Sequence, residues 1–357
     1  MPNSLSSRLS SLGAHAAGLA VSFAGGAAFA WFGVPAAWLS GAMLASAVCA
    51  GLRLFPPMVG PLRDASMLIA GVSLGMGVTP DALEALRAYP VSLTLLVIGM
   101  MAIMGTSTFV LVRFAKWPLR ESFFASAPGA LTAVMLTAAE VRADVGRIAL
   151  LQVSRLFVLV MVLPTVITAL EPPGQAEAPR HLVISPVGLA ITFAASMVAA
   201  ALLHRLRVAA PLVMGAMAAS ALLAATGEIV GTLPSVMSNA GFVVIGTFIG
   251  QRFRDIDFAS LVRVLPAIGL SMASTLSVAG LFATAVTVLT GIPIGATVVA
   301  FSPGGLEAMT ILALALGQDP LYVSVHHLAR FVLIGLFVPL AMGIWPQLGR
   351  GSNGSGQ

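Results

Sequence analysis

The sequence predicts an all-α polytopic membrane protein made of two copies of one structural unit. Hydrophobic residues fill 58% of the 357 positions and charged residues only 9%, against roughly 25% charged residues in soluble domains. Mean hydropathy is +1.01. Most of the apolar runs are long enough to cross about 30 Å of hydrocarbon as helices. A Pro-Gly pair interrupts the fifth run of each half. A soluble globular domain is therefore excluded.

The two halves follow from a shift of 175 residues that superposes the chain on itself. Repeats of this kind are typical of secondary transporters. The shift becomes 174 near Gly41, which meets Gly215. We predict a first membrane repeat over 1–170, a polar linker over 171–183, a second membrane repeat over 184–348 and a disordered tail over 349–357. The coinciding pairs are Gly71/Gly246, Gly75/Gly250, Pro128-Gly129/Pro303-Gly304, Leu131/Leu306, Asp144/Asp319, Arg155/Arg330 and Pro164/Pro339.

Six apolar runs are expected in each half, and the basic residues indicate how they cross the membrane. Lys and Arg concentrate on the cytoplasmic side of short loops. If each fifth run is re-entrant and the N-terminus is cytoplasmic, fourteen of the 18 Lys and Arg residues are cytoplasmic. Only Arg87 and Arg180 are then outside, and Arg155 and Arg330 lie in the membrane. This predicts inverted repeats of about five crossings each. Broken helices that cross the membrane are the alternative.

The Pro-Gly segments are the first candidate site. Pro lacks the backbone donor and Gly lacks a side chain, so backbone groups freed there must be buried in protein or line a wet cavity. Short helix ends with exposed N–H groups attract anions. Packing kinks are the alternative. The predicted substrate-binding residues of these segments are Pro128, Gly129, Ser302, Pro303, Gly304 and Gly305.

Two intramembrane arginines complete the predicted substrate site. Arg155 and Arg330 each follow a polar turn by 11 residues, which places them roughly 16 Å deep at 1.5 Å per residue. A guanidinium at that depth must face the protein interior and have partners. It can bind a carboxylate bidentately. The alternative is that a carboxylate or loop carbonyls neutralise each arginine.

Five residues are candidates for binding a coupling ion. Glu307 follows the second break and could carry a proton, although it could instead pair with Arg330. His326 and His327 precede Arg330 by four and three residues, so both are predicted on its helix face, where packing is the alternative. Asp144 and Asp319 are expected to cap helices, with a sodium or proton role as the alternative.

Several function classes are not supported. The net charge is +5, but the basic residues are scattered rather than clustered, so no nucleic-acid partner is expected. The lone Cys49 excludes an intramolecular disulfide and a multi-cysteine metal site. No His/Glu cluster has helical metal-ligand spacing. We therefore expect no metal, no cofactor and no enzymatic activity.

Both halves, essentially residues 15–345, resemble the AbrB-duplication membrane proteins of bacteria, and the motif is more specific in the second half. The residues that carry this resemblance are Phe301–Met309, Gly317–Asp319, Val325–His327 and Arg330. The first half departs from the motif, with Thr132 at the position of Glu307 and Leu151-Gln152 at that of the histidine pair. Members often carry an ammonia monooxygenase label. More distantly, the plan is similar to the inverted-repeat glutamate and citrate carriers, which implies a homodimer with an elevator motion.

The predicted function is secondary transport of a small anionic, carboxylate-bearing solute, coupled to protons or sodium. The expected location is the bacterial inner membrane, where the protein would be multi-pass, embedded in the lipid bilayer and homodimeric. The alternative is a membrane sensor or regulator that does not transport. A third interpretation, a membrane-bound monooxygenase, rests on the family label alone and is disfavoured.

Overall fold

The computed structural model describes residues 5–76, 89–129, 131–171, 183–208, 210–225, 231–254, 256 and 258–350. Within these ranges the chain is helical, with one short 3₁₀ helix at Gln251–Phe253 and one isolated bridge between Val183 and Thr232. The α-helices in chain order are α1 Leu5–Trp31, α2 Ala37–Gly51, α3 Gly60–Met76, α4 Tyr89–Arg113, α5 Leu119–Ser126, α6 Leu131–Glu140, α7 Val145–Leu170, α8 Pro186–Arg205, α9 Pro211–Ala225, α10 Ser235–Gly250, α11 Phe258–Thr290, α12 Ile294–Phe301, α13 Leu306–Ala315 and α14 Pro320–Arg350.

Helix lengths and apolar composition confirm the predicted all-α polytopic membrane protein. Six of the described helices, α1, α4, α7, α8, α11 and α14, are long and apolar enough to cross a bilayer. Helices α2, α3, α9 and α10 contain only 15 to 17 residues, which corresponds to roughly 23 to 26 Å. The second and third helices of each half are therefore shorter than the first, the fourth and the last helix of that half.

The order of elements is the same in both halves. Helices α1–α7 are followed by α8–α14 with the same succession of long, short and broken helices, and α5/α12, α6/α13 and α7/α14 begin 175 residues apart. Of the predicted linker, residues 172–182 lie outside the described residues. Helix α14 continues to Arg350, two residues into the predicted tail, and residues 351–357 are also outside the described range.

The helices form two bundles. The glycine bundle consists of α1–α3 and α8–α10, whose main contacts are with one another. The hairpin bundle consists of α4–α7 and α11–α14, in which α4 packs against α11 and the short helices pack against α7 and α14. Helix α3 joins the two bundles through contacts with α13 and α14. This division places an interface between the bundles next to the breaks in the fifth runs.

Glycines hold the glycine bundle together through two related contacts. A side chain at Gly71 would collide with Val213 on α9, and one at Gly246 would collide with Leu39 on α2. These contacts are equivalent in the repeat, because Gly71 matches Gly246 and Leu39 matches Val213. Gly75 and Gly250 repeat the arrangement one turn later. Small residues four apart let helices approach closely.

Contacts between equivalent helices show their relative directions. In α4 and α11, Ser107 Oγ lies 2.8 Å from Ser271 Oγ, while Gly99 lies beside Phe282. Residue numbers rise on one helix as they fall on the other, so α4 and α11 are antiparallel. Helices α3 and α10 are also antiparallel, since Ser73 meets Ser238 at 3.3 Å and Ile69 meets Gly241.

We expect Gly246→Val to destabilise the glycine bundle, because the new side chain would meet the backbone of α2. Overpacking of this kind costs about 1–3 kcal/mol. The measurement is the apparent Tm of the purified protein in detergent. Gly269→Val, on an exposed face of α11 with open space around it, is the matched control. Equal melting temperatures for the two variants would contradict the packing role.

Candidate functional site

The second break lies at the tip of a helical hairpin. Arm α12 lies along α14, where His327 Nε2 is 3.1 Å from Val299 O. Arm α13 returns along the same part of α14, where Ser324 Oγ is 3.4 Å from Thr310 Oγ1. Gly295, at the start of α12, lies next to Gln318, which follows α13. Both arms therefore begin or end near the start of α14, and the chain reverses direction at the break.

The first break has the same construction. Gln152 Nε2 donates to Phe124 O at 2.9 Å, and this bond is the repeat equivalent of the contact between His327 and Val299. At the open end of the hairpin, the guanidinium of Arg147 lies 5.2 Å from the ring centre of Trp117. Helices α5 and α6 thus form a second hairpin whose open end lies at the start of α7.

The two hairpins approach each other from opposite ends of α7. The open end of the second hairpin is close to the end of α7, since Gln318 Nε2 donates to Glu171 Oε2 at 3.3 Å. The tips meet in the middle. Gly129 has a φ of +86°, which a glycine adopts without strain, and a Cβ built on it would lie 3.8 Å from Arg330 Nε.

Each tip is held by the arginine that was predicted near it. Arg330 Nη1 donates to Ser302 O at 2.6 Å, and Nη2 donates to Gly304 O at 2.7 Å. Arg155 Nη2 donates to Ala127 O at 3.0 Å, the equivalent bond of the first half. Both arginines are only 3% exposed. The interpretation in which loop carbonyls partner the arginines is therefore the one that the hydrogen bonds show.

One donor of Arg155 is not used by the protein among the described residues. Its Nε is buried and has no partner among the described residues, and the side chain lines the cavity between the tips. Anion binding by Arg155 remains a prediction. Arg330 is not among the residues that line this cavity.

The two histidines differ in their surroundings. His327 Nδ1 lies against Arg330 Nη2, which can only donate, so Nε2 carries the proton shared with Val299 O and the ring is neutral. His326 instead bonds to Ser92 Oγ at 2.7 Å and to Tyr322 O at 2.8 Å. His326 lies on the same helix as Arg330, but its ring nitrogens bond to α4 and to the backbone of α14 instead of to the arginine.

Asp144 and Asp319 cap helices, as predicted. Asp144 accepts from Arg147 N at 2.9 Å at the start of α7. Asp319 accepts from Leu321 N at 2.9 Å and Tyr322 N at 3.1 Å at the start of α14. These bonds satisfy backbone donors that the helices leave free.

A cavity of about 280 Å³ lies between the hairpin tips and the glycine bundle. We call it the central cavity. Its volume corresponds to about nine water molecules at ~30 Å³ each. The hairpin tips contribute Gly129, Pro303, Gly304, Gly305 and Glu307. Residues of the opposite wall, in or next to the glycine bundle, are Met67, Ala210, Ile245, Phe248, Ile249 and Arg252.

Glu307 is not paired with Arg330, which was the alternative to a proton-carrying role. The Arg330 donors go to Ser302, Gly304 and His327. Glu307 lies in the first turn of α13 and in the wall of the central cavity, where its charged neighbours are Arg252, Arg63 and Asp64.

Some predicted residues support the tip without reaching the cavity wall. Ser302 Oγ donates to Val298 O at 2.6 Å, so this hydroxyl is used within α12. Pro128, Ser302, His326, His327, Asp144 and Asp319 do not line the central cavity. Among the described residues, no group of three His, Cys, Asp or Glu side chains could hold a metal ion.

The sequence analysis missed Gln152 and Arg252. Gln152 occupies the position of His327 in the repeat, so the register itself could have identified it as a partner of the tip. Arg252 was treated only as a cytoplasmic charge, yet it lines the central cavity, with its guanidinium 5.5 Å from the ring centre of Phe248. The spacing of four residues between Phe248 and Arg252 is one that brings side chains together on a helix, and it is the signal that could have found this contact.

The family profile described as transition state regulatory protein AbrB matches residues 38–345, a range that includes both hairpins. The chain belongs to the AbrB family. Its AbrB relatives include the uncharacterized protein YhjN of Bacillus subtilis (strain 168), 25% identical over 346 residues that cover 90% of each chain. A protein of Escherichia coli (strain K12), provisionally named regulator AbrB, is 27% identical over 315 residues, covering 86% of this chain and 89% of its own. The predicted AbrB-family membership is confirmed.

We expect Asp319→Asn and Asp144→Asn to leave folding of this AbrB protein nearly unchanged, because Asn caps helices about as well as Asp does. Asp319→Ala should instead lower stability by about 1 kcal/mol. Thermal unfolding of the purified variants measures this difference. Loss of a solute-dependent activity in both Asn variants, with normal melting, would contradict a purely capping role.

Proposed function

We propose that the protein is a secondary-active transporter of a small anionic, carboxylate-bearing solute. The observation that carries this proposal is the central cavity, which is bounded by two hairpin tips on one side and by the glycine bundle on the other. A break in a membrane helix exposes backbone N–H groups that attract anions. Arg155 and Arg252 add positive charge to the same space.

The proposal includes inverted repeats with re-entrant hairpins. Equivalent helices α3/α10 and α4/α11 run antiparallel, and each hairpin reverses at its tip. Together these contacts support two halves of opposite orientation, with one hairpin entering from each membrane face. The two arms of each hairpin then do not cross the membrane, and the other ten described α-helices do.

Charge supports a cytoplasmic assignment for one end of the molecule. A cavity of about 780 Å³ at that end is lined by Lys116, Arg147, Arg252 and Arg263, and it shares Arg252 and Val153 with the central cavity. Basic residues favour the cytoplasmic side. On this basis the protein lies in the bacterial inner membrane with its central cavity approached from the cytoplasm.

The mechanism we propose is an elevator motion of the hairpin bundle against the glycine bundle. Few helix contacts join the two bundles, whereas glycines pack the glycine bundle closely and arginines fix the hairpin tips. A homodimer would anchor the glycine bundle. Coupling to protons or sodium would use the candidates Glu307, His326, His327, Asp144 and Asp319, of which only Glu307 lines the central cavity.

The test begins with a thermal-shift screen of small carboxylates, amines and amino acids at two pH values. Compounds that stabilise the protein are then assayed for uptake into proteoliposomes under proton and sodium gradients. We expect Arg155→Lys and Arg330→Lys to lower uptake by at least about tenfold, because an ammonium cannot reproduce the planar set of donors and charge-assisted hydrogen bonds contribute about 1.5–3 kcal/mol each.

Arg113→Lys, at an exposed helix end, is the control for the loss of a guanidinium. Size-exclusion chromatography compares the amounts of folded protein. Wild-type uptake by both Lys variants would overturn the role of the arginines, and no uptake of any stabilising compound would overturn the transport proposal.

A membrane regulator or sensor that does not transport is the second candidate. It is favoured by the family description as a regulatory protein and by the name of the Escherichia coli relative. Solute binding without uptake in proteoliposomes would support it. The third interpretation, a monooxygenase, has no support beyond the family label, and metal analysis of the purified protein tests it.

A further inference from the structure

The central cavity contains opposite charges that are close to each other but are not joined by a direct ion pair among the described residues. Glu307 and Arg252 both line it, yet no hydrogen bond or ion pair within 4.0 Å involves either side chain among the described residues. Arg63 and Asp64 differ, because they form an ion pair of their own at 2.6 Å. Among the described residues, Arg252 and Glu307 thus face the cavity without a direct ion pair.

These charges come from both bundles. Arg252 lies in the 3₁₀ helix that follows α10 of the glycine bundle, whereas Glu307 lies on α13 and Arg155 on α7 of the hairpin bundle. Arg155 adds the buried Nε that lacks a partner among the described residues. Two guanidiniums and one carboxylate thus share about 280 Å³.

A simple anion would balance the net positive charge of two guanidiniums and one carboxylate, but it would offer Glu307 no hydrogen-bond donor. Its carboxylate would pair with Arg252 or Arg155, but it would also share the small cavity with the like charge of Glu307. A partly desolvated charge is stable only when it has a partner. A solute that carries an ammonium as well as a carboxylate would provide a partner for Glu307 and a partner for a guanidinium.

We propose that the transported solute is a small zwitterion of the amino-acid class, an inference that rests on the proposed transport function. Its carboxylate binds Arg252 on the side of the cavity that Arg155 also lines, and its ammonium binds Glu307. The apolar wall formed by Met67, Ile245 and Phe248 takes its side chain. A cavity volume of about 280 Å³ is suited to a small solute.

The experiment uses the purified full-length protein in lipid nanodiscs. Binding of each of the twenty L-amino acids is measured calorimetrically, together with the deaminated carboxylate and the decarboxylated amine of the same carbon skeleton. We expect at least one small amino acid to bind, and its carboxylate and amine counterparts to bind at least about tenfold more weakly, since each removes one charge-assisted contact.

Two variants test the proposed roles of Glu307 and Arg252. Glu307→Gln keeps the shape of the side chain. It should lower the affinity for the amino acid by at least about tenfold and leave the affinity for the carboxylate counterpart unchanged or higher. Arg252→Gln should lower the affinity for both compounds. Glu140→Gln and Arg113→Gln, at exposed helix ends, are the matched controls. Melting temperature and size-exclusion profiles identify any variant that fails to fold, in which case the wild-type ligand comparison decides.

The outcomes separate this inference from the proposed function. If carboxylates bind as tightly as amino acids, or if Glu307→Gln leaves the amino-acid affinity unchanged, the zwitterion proposal is overturned and anion transport stands. Carboxylate uptake that depends on a proton gradient and on Glu307 would also overturn the zwitterion proposal. In that case a proton, and not an ammonium, neutralises Glu307. If neither class binds or is taken up, both proposals fail.

Discussion

The hydrogen bonds between buried arginines and the carbonyls of the broken helices are the interaction on which the hairpins depend. A helix that ends inside the membrane leaves carbonyl groups without partners. A guanidinium at the same depth is unstable unless its donors are used. At the second tip, Arg330 and the carbonyls of Ser302 and Gly304 solve both problems together. Neither the break nor the arginine would be stable alone.

This mutual dependence explains why the same set of residues occurs twice. Arg155 and Ala127 reproduce the bond between Arg330 and Ser302 at a shift of 175 residues, and Gln152 reproduces the contact of His327. Residues that are 175 positions apart therefore make equivalent hydrogen bonds in the two halves. A histidine can be replaced by glutamine here because either side chain offers one donor to a carbonyl of the preceding hairpin arm.

The sequence predicted the parts of the site that depend on local chemistry. Pro-Gly pairs, capping aspartates and intramembrane arginines each impose a constraint that a single segment must satisfy, so Asp144 and Asp319 were correctly expected to cap helices. The partners of an arginine depend on tertiary packing instead, so the sequence alone does not distinguish loop carbonyls from a bound ligand as those partners. The orientation of His326 towards Ser92 depends on how α14 packs against α4, which no local pattern determines.

The charges of the central cavity are asymmetric although the backbone is repeated. The position equivalent to Glu307 is Thr132, and the positions equivalent to Arg63 and Asp64 are Ser238 and Asn239. The repeat therefore supplies the hairpins and close packing twice, whereas the charged wall exists once. Because Arg252 and Glu307 belong to different bundles, relative motion of the bundles changes the distance between them. A solute that binds both groups would consequently favour one arrangement of the bundles over the other.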